Sequence, residues 1–259
     1  MEYLVDKLRA DRTIYTSWHG IAHSDVVDAV AAGGLECVVL DVQHGGIDFK
    51  SLLSIIPVAT YGNCAVGVRV AAGDYAFAAR AVDAGAQLVI APLVNTADDA
   101  RELVQAVKYP PLGGRSWGPG RAMRYTGIKD PHEQLARAND HVLAFAMIET
   151  LEGLENVDEI IAVEGLDGIL VGPSDLSIAL SNGAKFDAFG EESMPIIKMI
   201  GEKVRAAGKF AAIFSIDPKD TVMSEKLGYR LISIGMDKGF IADGLSAALK
   251  AIETAKAST

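Results

Sequence analysis

The chain has 259 residues, half of them hydrophobic, and a formal net charge of -10 at pH 7. It is long enough to bury a large core as one domain, and its negative charge disfavours nucleic acid or an anionic membrane as a partner, because both require a positive surface. The two cysteines, Cys37 and Cys64, lie in apolar stretches, and no apolar run reaches the roughly 18 residues of a membrane span, so we expect a reduced, cytoplasmic protein.

Eight short apolar runs predict buried strands, and amphipathic stretches between them predict helices. The predicted strands span residues 14–18, 35–41, 65–70, 87–92, 142–149, 168–172, 209–215 and 230–235. Predicted helices include residues 74–84, 96–108, 151–163, 194–207 and 217–227. Eight alternating units in a chain of about 250 residues favour a single (β/α)8 TIM barrel over residues 1–259. A doubly wound open sheet is the alternative, but no glycine-rich phosphate turn follows the first predicted strand.

One connection, residues 109–141, is much longer than the others. A loop of that length in a compact domain is usually a functional lid or an interface element. Its three arginines, Arg115, Arg121 and Arg124, could meet an acidic substrate, and a contact between subunits is the alternative.

Polar side chains follow several of the predicted strands at the end where each strand stops, and in a barrel those ends form one rim. They are Trp18, Asp41, Gln43, His44, Arg69, Glu149, Asp175, Ser215 and Asp237. Glu149 and Asp175 are one strand-helix-strand step apart, so we expect them on neighbouring strands. Two carboxylates with open coordination positions suit Mg2+ or Mn2+. The alternative for each acid is that it caps the helix that follows it.

His44 and Arg69 are the candidate catalytic side chains of this rim. His44 is followed by two glycines and can exchange protons near neutral pH, with Asp83 as a candidate carboxylate to orient it. Alternatively, His44 is a polar loop residue and Asp83 a solvated acid at a helix end. Arg69 ends an apolar strand, where a guanidinium is costly without an anion, so it should pair with Asp41 or Glu149, or stabilise an oxyanion.

The segment Gly172-Pro173-Ser174-Asp175 leads from a predicted strand into a helix. Free backbone N–H groups at such a helix start can hold a carboxylate, and a plain N-cap by Ser174 is the alternative. The aromatic rings of Trp18 and Phe214 are placed to form walls of a pocket, or else belong to the ordinary core.

Five linked motifs in order closely resemble the HpcH/HpaI family of metal-dependent (class II) 2-oxo-acid aldolases. They are Asp41-Val42-Gln43-His44-Gly45, Val68-Arg69, Asp83-Ala84-Gly85-Ala86-Gln87, Ile148-Glu149-Thr150 and the run from Val171 to Ser177. The resemblance implies a divalent ion at Glu149 and Asp175, either Mg2+ or Mn2+, with Co2+ or Zn2+ as alternatives. It also implies a homo-oligomer, a hexamer built as a trimer of dimers, whose C-terminal helix is exchanged between subunits.

Family members cleave or form the bond between pyruvate, or a related 2-oxo acid such as hydroxypyruvate, and an aldehyde through a metal-stabilised enolate. The resemblance implies His44, Arg69, Asp83 and Asp41 as catalytic residues. It implies a substrate site formed by Arg69, Gly172, Pro173, Ser174, Trp18 and Phe214. Met147 and Gln43 stand where many relatives carry glutamine and glutamate, which leaves substrate choice and metal preference open.

Three other functions remain as alternatives. A Schiff-base (class I) aldolase uses the same fold but needs a lysine in the pocket, and none is predicted there. A non-catalytic barrel that binds a small 2-oxo acid would explain the fold but not the presence of base, arginine and both acids. A lyase of coenzyme A thioesters would need an additional element to hold the nucleotide.

Overall fold

Eight parallel strands pair in chain order around a closed barrel in the computed structural model, which describes residues 2–258. The strands are β1 (Ile14–His19), β2 (Cys37–Asp41), β3 (Ala65–Arg69), β4 (Leu88–Ala91), β5 (Leu143–Ile148), β6 (Gly168–Val171), β7 (Phe210–Ile213) and β8 (Leu231–Met236). The (β/α)8 TIM barrel is thus confirmed, and every predicted strand is present.

Thirteen helices lie within residues 2–258. They are α1 (Leu4–Arg9), α2 (Ser24–Ala32), α3 (Phe49–Tyr61), α4 (Tyr75–Ala84), α5 (Ala97–Val107), α6 (Gly120–Thr126), α7 (Pro131–His141), α8 (Leu151–Glu155), α9 (Val157–Ile161), α10 (Pro173–Leu180), α11 (Ser193–Ala206), α12 (Pro218–Lys226) and α13 (Asp237–Ala257). The helix predicted over 151–163 is two short helices, and Asn156 between them donates its side-chain amide to the carbonyl of Asn95.

Two apolar layers hold the barrel together. Strand residues such as Val39, Leu88 and Phe145 fill its interior, and Leu4 and Leu8 of α1 pack against the same cluster. The second layer lies between the outer faces of the strands and the surrounding helices. Because both faces of these parallel strands are buried, their sequences are nearly continuous apolar runs, which is why the strands could be predicted.

The long segment 109–141 contains α6 and α7 and lies at the N-terminal end of the barrel. It leaves the C-terminal end of α5 and returns to the start of β5, and Lys108 at its beginning bonds to the carbonyls of Asn139 and Val142 near its end. Of the two alternatives for this segment, a lid over the C-terminal rim is not what one chain forms, and Arg115, Arg121 and Arg124 do not lie beside its cavity. The other alternative, a contact between subunits, stays a prediction.

Helix α13 extends away from the barrel after its first turn. Asp237 is buried, but residues 241–258 are exposed along the whole length. Exposed apolar side chains recur along α13 at helical spacing, namely Ile241, Leu245, Leu249 and Ile252. Among residues 2–258, no helix combines the length and apolarity that crossing a bilayer requires.

Candidate active site

A cavity of about 200 Å³, open to solvent, lies at the C-terminal rim. It is lined by Trp18, Asp41, His44, Arg69, Met147, Gly172, Pro173, Ser174, Asp175, Phe214 and Met236. Glu149 lies directly behind the Gly172 backbone. The structure thus brings together all of the predicted site residues except Asp83.

Glu149 follows β5 and is almost completely buried, with 4% of its surface exposed. Its Oε1 accepts a hydrogen bond from the backbone N–H of Leu93 at 2.8 Å, and its Oε2 receives none of the hydrogen bonds formed within the described chain. Burial raises the pKa of Glu149 to about 7, and the charge of Asp175 adds to the increase, although the Leu93 N–H and Arg69 oppose it. A buried carboxylate with a free oxygen is therefore well placed to receive a cation.

Asp175 stands in the first turn of α10, after the neighbouring strand β6, and is exposed to the cavity. Oxygen-only ligands suit Mg2+ or Mn2+, so the two carboxylates fit the predicted metal. No set of three or more His, Cys, Asp or Glu side chains within residues 2–258 is arranged to hold an ion. Water and substrate oxygens would therefore complete the coordination. Neither acid is an N-cap, because Thr150 is the N-cap of α8 and Gly172 is the N-cap of α10.

Leu93 is a site residue that the sequence did not reveal. It lies after β4, its φ is 52°, and its N–H holds Glu149. A positive φ is uncommon for a bulky residue, and the contact uses only the backbone, so nothing in the identity of leucine signals the role. Thr150 and Asn95 hydrogen-bond across the same two loops and keep Leu93 beside Glu149.

Asp41 and Arg69 form a buried, bidentate ion pair across β2 and β3. Arg69 Nε and Nη2 donate to the two carboxylate oxygens of Asp41 at 3.0 and 2.7 Å. Of the two predicted partners for Arg69, Asp41 is thus the one observed. The guanidinium also lies over the Trp18 ring, 4.5 Å from its centroid, and Phe214 meets Trp18 edge-on at 5.2 Å. The Asp41 pairing leaves Arg69 Nη1 without a hydrogen bond among residues 2–258.

The loop that carries His44 is held at both ends. Asp41 Oδ1 accepts hydrogen bonds from the backbone N–H groups of Gln43 and His44, both at 3.1 Å. Beyond His44, a Cβ on Gly45 would lie 2.3 Å from the Asp41 carbonyl oxygen and 2.8 Å from the Gly20 Cα, so only glycine fits. His44 itself is exposed at the mouth of the cavity.

Asp237 supports this loop from the other side, a role that sequence reasoning had not assigned. Its Oδ2 accepts from the N–H groups of Gly20 and Ile21 at 2.9 and 2.8 Å, and the Gly20 carbonyl accepts from Gly46 N–H at 2.8 Å. The polar contacts thus run from Asp237 through the Gly20 backbone to the loop containing His44.

Asp83 is not beside His44 within the chain. It lies in the last turn of α4, which leads through Gly85 to the N-terminal end of β4, and is therefore at the opposite rim. There it pairs with Arg115. The expectation that Asp83 orients His44 is wrong for a single chain, because a helix that precedes a parallel strand ends at the strand's beginning.

The start of α10 supplies two backbone donors to the cavity. Gly172 lines the cavity, but its N–H is already bonded to the Ile148 carbonyl at 3.1 Å. The N–H groups of Ser174 and Asp175 are in the first helical turn and lack intrahelical acceptors. Ser174 is not the N-cap, since that position belongs to Gly172.

No lysine is among the described residues that line the cavity. Lys238 stands at the same rim, near Gly20, and is exposed outside the lining. A Schiff-base mechanism would therefore require Lys238 to turn inward.

Comparison with known proteins finds relatives over most of the chain. A sequence model of the HpcH/HpaI aldolase/citrate lyase family matches residues 15–243. A hydroxypyruvate/pyruvate aldolase of Rhizorhabdus wittichii is 36% identical over 204 residues, 78% of this chain and 79% of that protein. A 2-keto-3-deoxy-L-rhamnonate aldolase of Escherichia coli is 30% identical over 254 residues, 97% and 93% of the two chains. The crystal structure of an HpcH/HpaI aldolase from Desulfitobacterium hafniense has a TM-score of 0.88 at 25% identity, covering 98% of this chain and 97% of that one.

Proposed function

We propose that this chain, which belongs to the HpcH/HpaI aldolase/citrate lyase family, is a carbon-carbon lyase that cleaves or forms the bond between pyruvate or hydroxypyruvate and an aldehyde. The observation that carries the proposal is that Asp175, His44 and Arg69 line one cavity and that the Glu149 carboxylate lies against Gly172 of the same lining. The aldolase names of the relatives from R. wittichii and E. coli support the same reaction class.

Glu149 and Asp175 would hold a divalent ion, Mg2+ or Mn2+, with Co2+ or Zn2+ as alternatives. When bound, such an ion would act as a Lewis acid on the keto oxygen of the substrate and so acidify the adjacent carbon. The negative charge of the two carboxylates favours a cation at this position. Because burial raises the pKa of Glu149 to about 7, the ion competes with a proton for that carboxylate.

The 2-oxo acid is bound at its carboxylate by the N–H groups of Ser174 and Asp175 at the start of α10, where Pro173 also lines the cavity. Arg69 directs Nη1 at the oxygen on which negative charge develops. Because Asp41 fixes the other side of the guanidinium, Arg69 is oriented before the substrate arrives, and the donor need not reorganise during the reaction.

His44 takes up or returns the proton of the aldol hydroxyl, directly or through one water. Asp41 contributes by holding the His44 backbone and Arg69 at once, so a single carboxylate positions both groups. Trp18 and Phe214 form apolar walls that exclude water from the reacting carbon.

The test measures two steps separately after metal is stripped and Mn2+ is added back. Solvent deuterium exchange into the methyl group of pyruvate reports proton abstraction, and aldol cleavage reports the whole reaction. Glu149→Gln should lose Mn2+ binding and both activities. His44→Ala should retain Mn2+ and pyruvate binding but lose cleavage. Retention of cleavage by metal-free protein would refute the proposal, and binding without turnover in the unmodified protein would favour the non-catalytic alternative.

The proposal includes assembly through α13. The apolar stripe of Ile241, Leu245, Leu249 and Ile252 has no partner in the described chain, and a helix exchanged with a second copy would cover it. We expect a hexamer by light scattering and a smaller species for Leu245→Glu, while an unchanged mass for that variant would contradict the exchange. We also propose a cytoplasmic location, which the two free, buried cysteines support.

A further inference from the structure

The wall of the cavity divides into two arcs of opposite chemistry. The groups assigned to the 2-oxo acid and its metal lie at the end of β3 and just after β5 and β6. The remaining arc consists of Trp18 on β1, Phe214 just after β7 and Met236 at the end of β8, which we call the apolar arc. Because the barrel closes in chain order, β7, β8 and β1 are consecutive neighbours, so the apolar arc is continuous.

Contacts within the apolar arc keep its three side chains together. Met236 is the register partner of Trp18, and Phe214 meets Trp18 edge-on at 5.2 Å. Trp18 is 2% exposed and forms the floor, while Met236 is 38% exposed and lies at the mouth. The apolar surface therefore runs from the reacting centre to solvent, which is the route along which the body of a second substrate would extend.

Within one described chain, the side chains that line the cavity include no free cation for a second carboxylate, and Lys238 at the same rim is exposed outside that lining. Arg69 is the single arginine among the described lining residues, it is already paired with Asp41, and its Nη1 is assigned to the 2-oxo acid. Arg115, Arg121 and Arg124 are at the opposite end of the barrel in the same chain. A negative group against the apolar arc would lose hydration without gaining a partner.

We infer that the aldehyde partner of this enzyme is uncharged and mainly apolar along its chain, with its body against Trp18, Phe214 and Met236. The inference rests on the proposed aldolase function and adds the acceptor class to it. His44, in the loop after β2, borders one end of the apolar arc, and Asp175, in α10 after β6, borders the other. An aldehyde carbon between them places its substituent on this wall.

The test compares butanal with 4-oxobutanoate, two four-carbon aldehydes that differ by a terminal methyl or carboxylate, each with pyruvate and Mn2+. We expect kcat/KM to be at least about tenfold higher for butanal. Equal values, or a preference for 4-oxobutanoate, would overturn the inference.

A second experiment places a charge in the apolar arc. Met236→Lys should raise kcat/KM for 4-oxobutanoate relative to butanal by about three- to tenfold. Ile216→Lys is the matched control, because Ile216 lies at the same rim, is 64% exposed and does not line the cavity. An equal shift in both variants would mean that general attraction to the rim, not the apolar arc, sets the preference, and would overturn the inference.

Deuterium exchange into pyruvate, measured without aldehyde, tests the proposed function separately from the acceptor class. Exchange without addition to butanal would overturn the acceptor class and leave the proposed function standing. Absence of exchange and of addition to either aldehyde would overturn the proposed function, and the acceptor class with it.

Discussion

Replacing Gly172 by alanine should weaken metal binding without unfolding the protein. A Cβ at this position would lie 2.6 Å from Glu149 Oε2 and 3.0 Å from Glu149 Cβ. The first distance is about 0.8 Å short of the 3.4 Å at which ordinary contact begins, so the carboxylate must move. Since Gly172 has a φ of -96°, which alanine adopts readily, the strain falls on the side chains and not on the backbone.

A displacement of this size at a metal ligand should raise the Mn2+ dissociation constant about 10- to 100-fold. Overpacking should cost the fold about 1–3 kcal/mol. Calorimetric titration at pH 8 measures the first effect and urea unfolding the second. Gly239→Ala is the control, because open space surrounds that position. Unchanged Mn2+ affinity in a folded Gly172→Ala variant would refute the assignment of Glu149 as a ligand held against this backbone.

Four further outcomes are expected. Arg69→Met should lower the free energy of unfolding, measured in urea, by about 3–5 kcal/mol, because it leaves Asp41 buried without its partner. A loss below about 1 kcal/mol would contradict a stabilising role of the Asp41–Arg69 ion pair. The apparent Mn2+ dissociation constant should be about tenfold higher at pH 6 than at pH 8. Below its pKa of about 7, Glu149 holds a proton that the ion must displace. A dissociation constant that does not change with pH would contradict this. Asp237→Ala should lower kcat about tenfold with an unchanged KM for pyruvate, whereas Asp237→Asn, which keeps an acceptor, should be close to wild type; equal loss in both would rule out positioning through the backbone. Borohydride added with pyruvate should leave the protein mass unchanged, and an adduct on Lys238 would favour a Schiff base.

Much of the barrel and its rim could be predicted because buried strands have a recognisable sequence pattern. Strands buried on both faces appear as apolar runs, and a charged residue at the end of such a run, such as Arg69 or Glu149, must meet a partner. The alternation of strands and helices then places Glu149 and Asp175 on neighbouring strands.

Three features escaped prediction for different physical reasons. Leu93 acts through its backbone, so its side chain carries no signal. Asp83 belongs to a motif that resembles the family, but position in a motif does not tell at which end of the barrel a residue lies. The length of segment 109–141 predicted either a lid or an interface element but not the end of the barrel at which it lies. Its connection from α5 to β5 confines both of its ends to the N-terminal side.

The stacking of Trp18 beneath Arg69 has a practical consequence. The chain contains two tryptophans, and the other, Trp117, lies in segment 109–141 with about half of its surface exposed. A Trp117→Phe variant would therefore emit from a single indole that touches the guanidinium and the cavity. Its fluorescence would give an optical titration of pyruvate and aldehyde occupancy that requires no turnover and no added label.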